Sequence, residues 1–253
     1  MKKMLAVMIP LMLLGSACRG PDKSKTLDGA ADNAAESREV VVLLHGLARS
    51  SSSMRKMERE LQDAGFMTVN RGYPSRKKSV EELTEDFVKP LVDEILEKQN
   101  PDRIHFVTHS LGGILVRYYA AEYGTARIGR VVMLAPPNHG SELPDRLKGL
   151  APYRWYFGDA GQELGTGEDD VPARLPPAQF EVGVLAGTRS WWNPLAWFWL
   201  SGDSDGTVTV ESTRLEGMSD FRKVSSGHTF IMRRSEVIES TKQFLKKGRF
   251  DDD

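Results

Sequence analysis

The chain has 253 residues, with 34 Lys and Arg against 35 Asp and Glu, for a formal net charge of -1. That length suits one sizeable domain with a full hydrophobic core. The balanced charge, with no basic run interleaved with aromatics, excludes a nucleic-acid partner, and no internal repeat recurs at a fixed period.

Lys2 and Lys3 form a basic start, and residues 4–14 form an apolar stretch too short to span a bilayer. The pair predicts a signal peptide over residues 1–17. Gly15, Ser16 and Ala17 precede Cys18, the single cysteine of the chain. The arrangement resembles the lipobox of bacterial lipoproteins, with Gly15 standing where the lipobox prefers Leu. Cys18 has no disulfide partner and sits where the lipid would be attached, so lipidation there is the expectation. The alternative is cleavage after Ala17, giving a soluble secreted protein. Residues 18–38 are polar and lack an apolar period, which predicts a flexible tether ahead of a folded domain at 39–250. The predicted location is a bacterial envelope membrane, at the outer membrane or the periplasmic face. Stable anchoring there takes more than one acyl chain.

Residues 40–44 are a continuous apolar run, the mark of a strand buried on both faces. Residues 51–64 carry helical spacing through Met54, Met57 and Leu61, and residues 66–69 are a second short strand. Ser79 and Glu82 make a capping box, and Val80, Leu83, Phe87, Leu91 and Ile95 follow on one helical stripe. Pro90 inside that stripe predicts a kink or a break. Further strands are predicted at 104–107, 131–134, 182–186 and 221–224. Helices are predicted at 111–123, closed by Gly124, and at 235–247, stopped by Gly248. Strands alternating with helices predict an α/β fold, a mostly parallel sheet with helices on both faces and a minimal cap domain or none. Sites in such sheets lie beyond the carboxyl ends of the strands.

The motifs fall at such ends. Thr108-His109-Ser110-Leu111-Gly112 follows the third strand and fits the G-x-S-x-G nucleophile elbow except at its first position. The elbow is a sharp strand-to-helix turn that exposes a serine hydroxyl. Small residues are wanted on both sides of it, and Gly112 and Gly113 supply them on the helix side. Serine is also a favoured helix cap, so the motif alone is ambiguous. His45-Gly46-Leu47 follows the first strand, where a loop N–H (here that of Leu47) would complete an oxyanion hole with the N–H of Leu111. Asp203 and Asp205 lie after the fifth strand and His228 after the last. A serine nucleophile needs a histidine to take its proton and an acid to hold that histidine's tautomer. Gly206 after Asp205 permits a tight turn aiming the carboxylate at the sheet end, so Asp205 is favoured over Asp203.

Together, "VVLLHGLARS", "FVTHSLGG", "RVVMLAPPNHGSEL", "DSDGTVTVEST" and "SSGHTFIM" resemble a family of small bacterial α/β-hydrolases described as esterases or lipases. The resemblance covers residues 40–250. In that family the elbow also begins with Thr. The resemblance implies Ser110 as nucleophile, His228 as base and Asp205 as acid, acting on a carboxylic or lipid ester. Thioesters and amides use the same machinery, and a non-catalytic envelope lipoprotein is the rival from another class. No cofactor or metal is implied, since the chain has one cysteine and no His/Asp/Glu cluster with ligand spacing.

His105 lies inside a strand and is expected to be a core or sheet residue. His45, His109, His139, Trp191 and Trp192 are candidates for touching substrate. The two tryptophans open the segment "WWNPLAWFWL", which would either wall an acyl site, face a membrane or pack a long loop. Residues 151–179, rich in Pro and Gly, are too short for a full cap domain but long enough for a lid.

Overall fold

The computed structural model describes residues 39–190 and 199–250. The expected signal peptide, the tether with Cys18, and Trp191 and Trp192 lie outside the described residues.

Six strands form one sheet: β1 Glu39–Leu44, β2 Met67–Asn70, β3 Arg103–His109, β4 Ile128–Leu134, β5 Val182–Gly187 and β6 Asp220–Val224. Their order is β2-β1-β3-β4-β5-β6, and every neighbouring pair is parallel. The chain winds one way from β1 to β2, then returns past β1 to β3 and continues in the other direction. The carboxyl ends of β1 and β3 therefore flank a topological switch point, where a crevice opens.

Both faces of the sheet are covered, which accounts for the unbroken apolar run in β1. Alternate side chains of a strand point to opposite faces. Val40, Val42 and Leu44 enter one core with Ile104, Phe106, Ile114 and Leu115. Val41 and Leu43 enter the other with Val107, Val132, Leu134 and Phe244.

Helix α1 (Arg55–Asp63) buries Met57 and Leu61 in the second core. Helix α2 (Val80–Leu83) starts on the predicted box: Glu82 N–H donates to Ser79 Oγ at 3.1 Å, and Ser79 N–H donates to Glu82 Oε2 at 2.9 Å. The interruption expected at Pro90 takes the form of a π-helical stretch, Thr84–Val88, with Pro90 in the first turn of α3 (Lys89–Gln99). Proline offers no N–H and crowds the carbonyl four residues back. The wider π turn just ahead of it absorbs that conflict and lets the helical path continue. Helices α4 (Leu111–Tyr123) and, near the C-terminus, α9 (Ser235–Lys247) have the predicted bounds and stop at Gly124 and Gly248, both at positive φ.

Between β4 and β5 the chain builds a small helical cap of α5 (Glu142–Leu147), α6 (Ala151–Gln162) and α7 (Val171–Arg174). The short α8 (Val210–Thr213) follows β5. Helix α6 bends at Gly158, at φ 64°, where a Cβ would collide with the Arg76 carbonyl. Ala160 N–H donates to Lys78 O, and Val80 N–H to Glu163 Oε2. The cap is thus seated on the loop after β2.

Arg117 of α4 fastens the cap from behind. It is buried and has no carboxylate partner among the described residues; its guanidinium donates to Asn138 O at 2.8 Å and Leu175 O at 2.9 Å, with longer contacts to Pro172 O and Pro176 O. Burial pushes its pKa down to about 10. Arg117→Met would strand these carbonyls without donors. It is expected to cost about 3 kcal/mol, read as a lowered urea midpoint at unchanged slope.

Candidate active site

β3 ends at His109 and α4 begins at Leu111, so the whole turn is made at Ser110. Ser110 has φ 50° and ψ -120°, a conformation rare outside glycine. Its N–H donates to Leu134 O at 2.9 Å, and its carbonyl accepts from Gly113 N–H at 2.9 Å. A Cβ at Gly112 would stand 2.7 Å from the Leu44 carbonyl oxygen. Only glycine lets the first turn of α4 sit this close to the end of β1. On the strand side Thr108 is fully buried, with Oγ1 donating to Val132 O at 3.4 Å. The pocket between β3 and β4 accepts a threonine where the elbow pattern has glycine.

His228, the first residue of a 3-10 helix (His228–Arg233) shortly after β6, brings Nε2 to 3.1 Å from Ser110 Oγ and Nδ1 to 2.7 Å from Asp205 Oδ2. An ionised carboxylate only accepts, so Nδ1 carries the proton and Nε2 faces the serine hydroxyl as acceptor; the tautomer is assigned from this network. Asp205 is fully buried. Its other oxygen accepts from Thr207 N–H at 2.9 Å and Val208 N–H at 2.8 Å, and its carbonyl accepts from His228 N–H at 3.0 Å. Gly206 takes φ 93° in this turn. Asp203, by contrast, is exposed and pairs with Lys223 Nζ at 3.1 Å. Gly187, unremarked in the sequence, ends β5 where a Cβ would stand 2.7 Å from Asp205 Cβ. Its lack of a side chain admits the acid loop.

Gly46 brings the loop after β1 against the elbow: a Cβ there would stand 2.6 Å from His109 Nδ1 and 3.2 Å from Ser110 Cβ. The turn continues through Ala48, which holds φ 54°, with its N–H donating to Ser75 Oγ. Leu47 is half-buried beside it. Leu111 is the first residue of α4, so its N–H has no carbonyl of an earlier turn to bond.

The histidines separate. His45 is fully buried; its Nε2 accepts from Tyr73 N–H at 3.2 Å, its Nδ1–H therefore donates to Gly46 O, and its ring stacks on Tyr73 at 4.0 Å. Burial lowers its pKa. Sealed beneath the loop, His45 is a brace and not the substrate contact expected of it. His139 is exposed and does not line the cavity; its N–H ties the loop to Ser212 O. The expectation of substrate contact fails there too, because the loop after β4 turns it outward. His105 is the expected sheet residue, buried and accepting from Arg130 N–H at 2.7 Å. His109 does line the cavity. Its Nε2 bonds the His228 carbonyl at 3.0 Å and its ring leans on that of His228 at 4.9 Å. Burial, with the neighbouring His228, holds its pKa well below the usual imidazole value, so it stays neutral. His228 is thus gripped at its N–H, its carbonyl and its ring.

A cavity of about 370 Å³ opens over Ser110 and His228. The cap supplies much of its lining: Leu143, Leu147, Tyr153, Tyr156 and Phe157. These residues were not singled out in the sequence; the run "YRWYF" in the predicted lid was the available signal.

Residues 39–162 match a family model described as alpha/beta hydrolase fold. Among solved structures, the mature form of a lipase from Bacillus licheniformis is 21% identical, with a TM-score of 0.68 over 83% of this chain and 93% of that one. A phospholipase from Legionella pneumophila is 18% identical, with a TM-score of 0.68 over 83% of this chain and 60% of that one. A metagenomic carboxyl esterase is 18% identical, with a TM-score of 0.57 over 76% and 65%. Sheet order, elbow and these likenesses agree that the chain has the α/β-hydrolase fold.

Proposed function

We propose that this protein is a serine hydrolase that cleaves carboxylic esters, including lipid esters, through an acyl-enzyme. The observation that supports it is the hydrogen-bonded chain Ser110–His228–Asp205, at 3.1 Å and 2.7 Å, opening into an apolar cavity. Ser110 Oγ attacks the ester carbonyl while His228 Nε2 takes its proton. Asp205 holds the imidazole and stabilises its charged form. The N–H groups of Leu47 and Leu111 receive the oxyanion, where one such donor is worth roughly a hundred- to thousandfold in rate. His228 then hands its proton to the departing alcohol oxygen, and water repeats the sequence on the acyl-enzyme to release the acid. The strained Ser110 backbone and the doubly bonded Asp205 are what pre-organisation requires. The lipase, phospholipase and carboxyl esterase among the fold's relatives accord with an ester substrate. Thioesters and amides fit the same machinery, whereas the greasy wall favours an acyl chain.

A fluorophosphonate probe tests this reading. It is expected to label the wild-type protein at Ser110, and an unlabelled protein would leave a non-catalytic binding module. We also propose attachment to an envelope membrane through Cys18. Cys18→Ser is then expected to move the protein from the membrane fraction to the soluble one and to abolish labelling by a palmitate analogue. A wild type that takes up no label would favour secretion after Ala17.

A further inference from the structure

The cavity over Ser110 is lopsided in charge. Among the described residues no Asp or Glu lines it, and apart from the imidazoles of His109 and His228 the one ionisable basic side chain lining it is that of Arg49. Arg49 is exposed and donates from its guanidinium to Thr229 Oγ1 at 3.1 Å. No carboxylate among the described residues pairs with it.

Its place is fixed from two sides. Arg49 follows the strained turn at Ala48, and its N–H donates to Gly46 O at 3.2 Å. Its side chain is tied to Thr229, the residue directly after His228. That tie decides which part of an ester it meets. On the hydrolase reading, His228 Nε2 gives its proton to the leaving oxygen, so the alcohol part must lie on the His228 side. The acyl chain is left with the apolar lining that the cap supplies through Leu143, Leu147 and Phe157.

We propose that Arg49 recognises an anionic group on the alcohol part. The preferred substrate is then an amphiphile: an apolar acyl chain esterified to an alcohol that carries a phosphate or a carboxylate. The planar guanidinium fork matches those groups, and Thr229 leaves most of its donors open. The low-dielectric wall beside it reduces screening of the attraction. The proposal rests on the hydrolase reading for the direction of the ester.

The test compares two monomeric esters, hexanoyl-glycerophosphate and hexanoyl-glycerol. The wild type is expected to prefer the phosphate-bearing ester by about tenfold in kcat/KM, chiefly through KM, the effect of one charge-assisted contact at a partly exposed site. Added salt should shrink the preference. Arg49→Gln should erase it, and Arg49→Lys, which keeps the charge without the fork, should retain part of it. No preference in the wild type, or an equal loss on both esters in Arg49→Gln, overturns the proposal and leaves Arg49 a loop brace. Inorganic phosphate that competed as well as a hexyl-glycerophosphate ether would also overturn it, since the site would then take a free anion. Binding of that ether and of hexyl-glycerol to Ser110→Ala separates the two readings. Arg49-dependent discrimination in a protein whose wild type no fluorophosphonate labels would remove the hydrolase and keep the anion site. Labelling without discrimination would do the reverse.

Discussion

Ser110→Ala is expected to lower turnover of a short p-nitrophenyl ester by on the order of a millionfold, the loss seen when the nucleophile of a serine triad is removed. It is also expected to leave the melting temperature nearly unchanged. The second half follows from the backbone. Ser110 holds φ 50°, but so does Ala135, and Ala48 holds φ 54° in the same chain. The fold therefore already holds alanine at positive φ at two other places. The Ser110 hydroxyl touches His228 Nε2, and its removal leaves Asp205, Thr207 and Val208 bonded as before. Circular dichroism melts beside the ester assay check both halves. More than a trace of activity in a folded Ser110→Ala protein would sink the nucleophile assignment.

Asp205→Asn is expected to cost roughly ten-thousandfold in turnover, and Asp203→Asn tenfold at most. Asp205 is fully buried, and one of its oxygens holds His228 Nδ1 at 2.7 Å. An asparagine there can present its NH₂ to Nδ1, driving the proton to Nε2, where the imidazole can no longer accept from Ser110. The other Asp205 oxygen takes the Thr207 and Val208 N–H groups, so the single oxygen of an asparagine would either keep these two bonds, leaving NH₂ toward Nδ1, or accept from Nδ1–H and lose them. Asp203 makes its ion pair with Lys223 in solvent, where such pairs are worth little. Both variants are to be assayed on one ester after each is shown to be folded. A collapse in Asp203→Asn with near-normal activity in Asp205→Asn would reverse the assignment.

What the sequence by itself determined about this protein is what near neighbours along the chain control. Short apolar runs placed all six strands, and apolar spacing with glycine stops placed the helices at 111–123 and 235–247, because burial of a strand on both faces or of one helical stripe is a local demand. The capping box at Ser79 and the stops at Gly124 and Gly248 are properties of a few adjacent residues. Ser110, Asp205 and His228 were legible because each stands at a strand's end in a fold where strand ends converge. Only the tertiary structure decided what depends on which distant segments meet. His45 and His139 look as suitable for substrate contact as His109, yet Tyr73 seals the first and the loop after β4 turns the second outward. Gly187 looks like any strand terminus until Asp205 packs against it. The cap was legible as a lid-length insertion, but its apolar wall required α6 to bend at Gly158 against Arg76. Arg49 meets Thr229 across 180 residues of chain; no local pattern encodes that contact, since it is set by how β1 and β6 sit in one packed sheet.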